Sequence, residues 1–304
     1  MYAQHPLPSN AGVKALLILA VCWPLTAIDA TAKASFEFDV LVYNTHGLPS
    51  IIAGDRPSER FPRIAELTKG YELALLQEDF AHHELLLGSL PKSHGASRGE
   101  NLGSQKCFVC SGSGLTTITG FNTEHWQLRT SFTAFNACSG WLVRLNDCFA
   151  QKGFQLGILE SSAGHRIFLV NTHLDAGSST PDRNARASQL NQIAVALQEL
   201  ARDEAIILAG DLNLNWQSAA DKALLLQFRD RLQLTRAETG SQAERGWPVL
   251  DYVYFRDGLN ADLEVLEEYR ELYQATRVPH PHSHTHTHAH VHTLTRTPYT
   301  LRMT

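Results

Sequence analysis

Five short apolar runs govern what this chain can fold into, because each is long enough for a β-strand and too short to cross a membrane. They are FEFDVLVYN (36–44), YELALLQE (71–78), HRIFLVNTH (165–173), EAIILAGDLN (204–213) and VLDYVYF (249–255). In the first, strict alternation puts Phe36, Phe38, Val40 and Val42 on one face. Weaker strand patterns cover 113–119, 126–135 and 154–159. Helical periodicity covers 58–69 and 182–202. In the second of these Leu190, Ile193, Leu197 and Leu200 share a face, and Pro181 suits a first turn. No repeat of 20–50 residues interrupts the pattern. Strands mixed with a few helices predict one α/β domain over 34–273, a four-layer sandwich of two mixed β-sheets packed face to face and flanked by helices. With 304 residues, 43% hydrophobic and 19% charged, the chain has the apolar material such a core needs and is not a disordered one.

What ends the strands is as informative as what fills them. Asn44, Glu78, His173, Asp211 and Asn213 each stand at or just past the end of an apolar run. A single polar residue there is ordinarily a solvated strand terminus. Five acids, amides and an imidazole in equivalent places predict a site on one rim of the sandwich. Oxygen donors of this kind suit Mg²⁺, with Mn²⁺ or Ca²⁺ as alternatives. The glycines of SGSGL fit neither a P-loop nor a dinucleotide fingerprint. A formal charge of −5 gives no strong basic field for nucleic acid.

Six segments in order, VYNTHGLP, LALLQED, SGSGLTTIT, VNTHLDAG, LAGDLNLN and LDYVYF, resemble the endonuclease/exonuclease/phosphatase superfamily. That family includes pancreatic-type deoxyribonuclease, abasic-site endonucleases, inositol-phosphate phosphatases and neutral sphingomyelinases. The resemblance spans about 38–255 and implies the same four-layer, deoxyribonuclease-like fold. It implies that Glu78 holds a catalytic Mg²⁺ with Asn44 beside it, that His173 and Asn213 contact the scissile phosphate, and that Asp211 positions or activates the attacking water. Asp251 would orient a further histidine. Such a set answers a chemical need: a phosphodiester anion repels nucleophiles until a cation offsets its charge and a base takes the proton from water. His46 and Asp175 are read as neighbours of the motifs.

The segment NDCFAQKG places Asp147 and Lys152 five apart, followed by Gly153. It resembles the Asp-x4-Lys-Gly stretch of neutral sphingomyelinases, where the pair is linked to substrate access; a surface turn also produces this spacing. The expected substrate is therefore a phospholipid phosphodiester, with contact to a membrane surface and no obligate protein partner. A secreted endonuclease acting on nucleic acid is the runner-up, and a phosphoinositide or sugar-phosphate phosphatase comes third. One part of the family pattern is missing: no Ser-Asp-His follows LDYVYF. Loss of a positioned acid–base group costs about 10²–10⁴ in rate, so a silent binding protein of the same fold is a further reading.

The two ends carry their own signals. Lys14, the apolar run 15–23 and the small residues Ala27, Ala30 and Ala32 describe a secretory signal peptide, with 1–33 as leader and lead-in. A buried N-terminal helix is the plainer alternative. Secretion or a periplasmic location would put Cys107, Cys110, Cys138 and Cys148 in an oxidising compartment and predicts two disulfides, Cys107–Cys110 and Cys138–Cys148 favoured. At the other end, every second residue from His280 to His292 is histidine, and 274–304 is expected to be a low-complexity tail. The tract reads as a solvated tail, as a transition-metal binder, or as the product of a frame slip in a CA repeat. His282 or His284 could replace the missing catalytic histidine, but nothing in such a tract fixes it at the roughly 0.5 Å tolerance catalysis asks for.

Overall fold

The computed structural model describes residues 35–48, 56–99, 112–139, 148, 150–237, 250–268, 271–274 and 293–303. The expected leader 1–33, Cys107, Cys110, Asp147 and the histidine tract lie outside the described residues. Among the described residues no helix is long and apolar enough to cross a membrane.

Two sheets form the centre. The first has the order β11-β13-β1-β2-β4-β3, with β12 also paired to β13. Its strands are β1 (Phe36–Asn44), β2 (Leu73–Gln77), β3 (Gly95–Arg98), β4 (Thr116–Thr119), β11 (Leu263–Glu268), β12 (Glu271–Gln274) and β13 (Thr293–Met303). The second runs β5-β6-β7-β8-β10-β9. Its strands are β5 (Trp126–Ala134), β6 (Gly153–Ser161), β7 (Arg166–His173), β8 (Ala205–Asp211), β9 (Thr235–Arg236) and β10 (Asp251–Arg256). Pairs β1–β2 and β7–β8 are parallel and the other neighbours antiparallel.

Alternation sorts the apolar side chains into three cores. Phe38, Val40 and Val42 meet Leu169, Ile207 and Val253 between the sheets. The opposite face of β1 turns Leu41 and Tyr43 toward Phe61 and Ile64 of helix α1 (Pro57–Leu67) and Leu86 of helix α2 (His83–Leu87). On the outer face of the second sheet, Phe168, Val170 and Leu208 pack against Leu190, Ile193 and Leu197 of α3 (Thr180–Leu200) and Leu225 and Phe228 of α4 (Ala219–Leu232). The four-layer α/β sandwich expected from the sequence is the fold observed.

Helix α3 starts where its sequence says it must. Ser179 caps the Asp182 backbone N–H, the Asp182 carboxylate returns the bond, and Pro181 occupies the first turn. Helix α4 lies outside the helical periodicity read from the sequence, although the Ser218 hydroxyl accepts from the Asp221 N–H and Leu225, Phe228 and Leu232 recur on one buried face.

The larger departure is at the C-terminus, where the expected tail 274–304 contains a strand. β13 pairs antiparallel with β1 from Phe36↔Met303 to Tyr43↔Arg296, and with β11 and β12 on its other side. Leu301 and Met303 are fully buried in the core between the sheets. β1 is therefore an interior strand, flanked by β13 and β2. The domain boundary moves from 273 to Met303, because β1 needs a partner on its outer side and these residues supply one. Pro298 disguised the strand, since proline is rare in a central position. It falls between Thr297 and Tyr299, where β11 has ended its pairing and β12 has not begun, so the missing N–H interrupts no ladder on that side.

Candidate active site

Strand direction brings the polar ends together. β1 and β2 run parallel and finish side by side, with Asn44 opposite Gln77. β7 and β8 also run parallel and pair His173 with Asp211. β10 enters antiparallel to β8, so its first residue, Asp251, lies directly opposite Asp211. One rim thus collects two residues from the first sheet and several from the second.

The side chains meet across the gap. The Asn44 amide donates to Glu78 Oε1 at 2.9 Å and to Asp211 Oδ2 at 3.0 Å. His173 Nε2 lies 3.7 Å from Glu78 Oε1 and 3.9 Å from Asp211 Oδ2. The Asn213 N–H donates to Asp211 Oδ1 at 2.9 Å, and its side-chain amide donates to the Leu174 carbonyl at 3.0 Å. All six residues assigned to metal and catalysis from the sequence, Asn44, Glu78, His173, Asp211, Asn213 and Asp251, stand on this rim.

Two further residues belong with them. Lys152, expected to govern access, is 6% exposed, donates to the Leu174 carbonyl at 2.7 Å and lies 3.2 Å from His173 Nε2. His46, read only as a neighbour, places Nδ1 3.6 Å from Glu78 Oε2. Its position just after a strand-ending asparagine was the signal that could have found it. Asp175, the other neighbour, is a structural anchor: it accepts from Ser139 N–H and from the Gln189 amide. That network adjoins the Cys138–Cys148 disulfide, which forms as expected with a Cα–Cα distance of 5.3 Å.

The backbone is strained where the chemistry is. Among the described residues the non-glycine positions with positive φ are His46 (47°), Glu78 (57°), Asn213 (50°) and Gln233 (56°). The last is an ordinary left-handed helix cap. The other three turn side chains off strand ends into the site, a placement typical of functional strain. Buried Arg60 of α1 holds the first of these turns by donating to the Thr45 and His46 carbonyls. At Gly210 a Cβ would come within 1.9 Å of the Thr172 carbonyl oxygen, so only glycine lets β8 lie this close to β7 ahead of Asp211.

The acids of the rim titrate apart. Burial alone would raise the Glu78 carboxyl, but the His46 hydrogen bond, the His173 charge, the Asn44 amide and the Lys152 ammonium outweigh it and hold the group down at about 2. Burial and the facing Asp251 carboxylate push Asp211 up to about 8, against the hydrogen bonds from Asn44 and Asn213. Three carboxyl groups on one rim offer oxygen donors of the kind a hard cation takes. Carboxylate and amide oxygens at Glu78 and Asn44, with Asp211 adjoining, fit Mg²⁺ in chemistry. Among the described residues no group of three or more His, Cys, Asp or Glu side chains is placed to hold a metal ion.

The fold is that of the endonuclease/exonuclease/phosphatase superfamily. No protein-family profile matches the chain. Among curated proteins it is similar to a sphingomyelinase of Mycobacterium bovis, 26% identical over 259 residues, covering 78% of this chain and 48% of that protein. The chain thus spans about half the length of the curated relatives it matches. Among solved structures it is similar to sphingomyelinase C from Streptomyces griseocarneus (TM-score 0.57, 20% identity, 88% of this chain and 99% of that one). It is also similar to a Staphylococcus aureus beta toxin variant with bound magnesium ions (TM-score 0.58, 16% identity, 88% and 99%).

Proposed function

We propose that the chain is a Mg²⁺-dependent phosphodiesterase of sphingomyelinase type, releasing phosphocholine from a phospholipid by attack of water. The observation that carries this reading is the convergence of Asn44 and Glu78 from one sheet with His173, Asp211 and Asn213 from the other. Glu78 and Asn44 would hold the metal, which when bound offsets phosphate charge and polarises the ester. His173, Asn213 and the Lys152 ammonium offer donors to the phosphate oxygens. Asp211, anchored by Asn44 and Asn213, takes the proton of the attacking water. The curated relatives and the sphingomyelinase C likeness support a lipid substrate, and the beta toxin with bound magnesium supports the metal. Export by the N-terminal leader fits a substrate on an exposed membrane surface.

A second reading, phosphodiester binding without turnover, has one observation in its favour: the chain lacks the Ser-Asp-His sequence. Purified protein assayed on sphingomyelin with Mg²⁺, with EDTA and as Glu78→Ala separates the two, with plasmid DNA as parallel substrate. Phosphocholine release that needs both Mg²⁺ and Glu78 is the expected result. DNA cleavage moves the chain to the nuclease branch, and inactivity on both substrates from folded protein favours binding alone.

A further inference from the structure

Glu78 occupies a backbone conformation that a glutamate enters only at a cost. Its φ of 57° is left-handed, a region in which a non-glycine residue is strained. The turn is what swings the side chain from the end of β2 to the Asn44 amide, so something must hold it. On the N-terminal side the holding groups are clear. The Gln77 carbonyl accepts from the Thr45 N–H and hydroxyl at 2.8 Å each, and the Gln77 amide donates across the sheets to Asn171 Oδ1 at 2.9 Å.

On the C-terminal side stands Asp79, fully buried. Its N–H donates to the Gly114 carbonyl at 3.1 Å. Its Oδ2 accepts from the Thr116 hydroxyl of β4 at 2.6 Å and lies 2.5 Å from His83 Nδ1, at the start of α2. Thr116 Oγ1 and His83 Nδ1 are themselves 3.1 Å apart. A carboxylate so deeply buried is expensive to keep unless donors surround it. These donors come from two different elements and converge on the residue next to Glu78. Residues that hydrogen-bond around a metal-binding side chain commonly decide how it is aimed.

We propose that Asp79, His83 and Thr116 form a buried clamp that positions Glu78 for its cation. They are positioning residues: the clamp acts by fixing the turn on which Glu78 stands. The inference rests on the reading of Glu78 as metal holder given above.

The test is calorimetric titration of Mn²⁺ into metal-free full chain, alongside thermal unfolding and the Mg²⁺ dependence of phosphocholine release. Thr116→Val keeps the side-chain shape and removes the hydroxyl donor, whereas Thr116→Ser restores it. The Mn²⁺ Kd is expected to rise about 10-fold in Thr116→Val and to return close to wild type in Thr116→Ser. The Mg²⁺ concentration for half-maximal activity moves in the same proportion, while KM for lipid stays put. If Thr116→Val does not fold, His83→Phe, which keeps a ring and removes the nitrogen, is read in the same way. A lowered Tm with unchanged Kd overturns the inference and assigns the cluster to stability alone, as does a variant equal to wild type in both. A wild type that binds no Mn²⁺ overturns the proposed function together with the clamp.

Discussion

The two sheets make their halves of the site by different routes. In the second sheet β5 to β8 are neighbours in sequence as well as in space, and the site residues of β7 and β8 sit on strands that pair locally. The first sheet joins segments far apart in sequence: β1 begins at Phe36 and its partner β13 ends at Met303. The first supplies the residues proposed to hold the cation, the second those proposed to handle phosphate and water. Local pairing makes a half-site that tolerates change elsewhere, whereas distant pairing ties Asn44 to residues at the far end of the chain.

Removing β13 is the most severe way to test that contrast. A chain ending at Gln274 loses the strand beside β1 and the buried Leu301 and Met303. It is expected to lose cooperative unfolding altogether, as measured by near-ultraviolet circular dichroism and calorimetry. A truncated chain that still melted as a unit would show that the second sheet suffices.

Point substitutions probe the two halves separately. Glu78→Ala is expected to cut the Mg²⁺-dependent rate by about 10³-fold and abolish Mn²⁺ binding. Lys152→Met, on the other half, is expected to lower kcat by about 10²-fold with the Mg²⁺ requirement unchanged. Steady-state kinetics over a Mg²⁺ series distinguishes them, and a shift in Mg²⁺ requirement for Lys152→Met would blur the division of labour.

Smaller effects follow from charge and from the disulfide. Asp211 is raised in the folded state to about 8 from an ordinary value near 3.8. Folded protein therefore keeps a proton that unfolded protein releases between about pH 4 and 8, and metal-free stability declines as pH rises through that window. Asp211→Asn is expected to remove the decline, seen as a metal-free Tm that no longer falls between about pH 4 and 8. The disulfide closes a loop between residues 10 apart in sequence. Replacing both cysteines with serine is expected to cost a few degrees of Tm, about what loop closure of that length contributes.

Legibility followed the same division. The apolar runs of β1, β2, β7, β8 and β10 announced themselves by length and alternation, and their polar ends announced the rim. Lys152 could be found by motif, but its burial beside His173 could not, since that depends on how β6 meets β7 in space. His46 carried no pattern beyond adjacency. β13 was hidden by Pro298 and by a threonine-rich composition that reads as linker, although Tyr299, Leu301 and Met303 do alternate. Capping logic would have found α4 if it had been applied to Ser218.

The pairing of β1 with β13 also sets the order of events during synthesis. A ribosome delivers β1 well before its partner, since Thr300 of β13 follows Asp39 of β1 by 261 residues, so one side of that strand stays unpaired while the residues between them are made. So long a separation in sequence slows closure of the sheet. A message broken before the codons of β13 yields a product in which β1 has a bare edge, a ready template for aggregation. Closure of this sheet thus waits until β13 has been made, and a cell that makes the protein must keep the nascent chain apart from its copies until then.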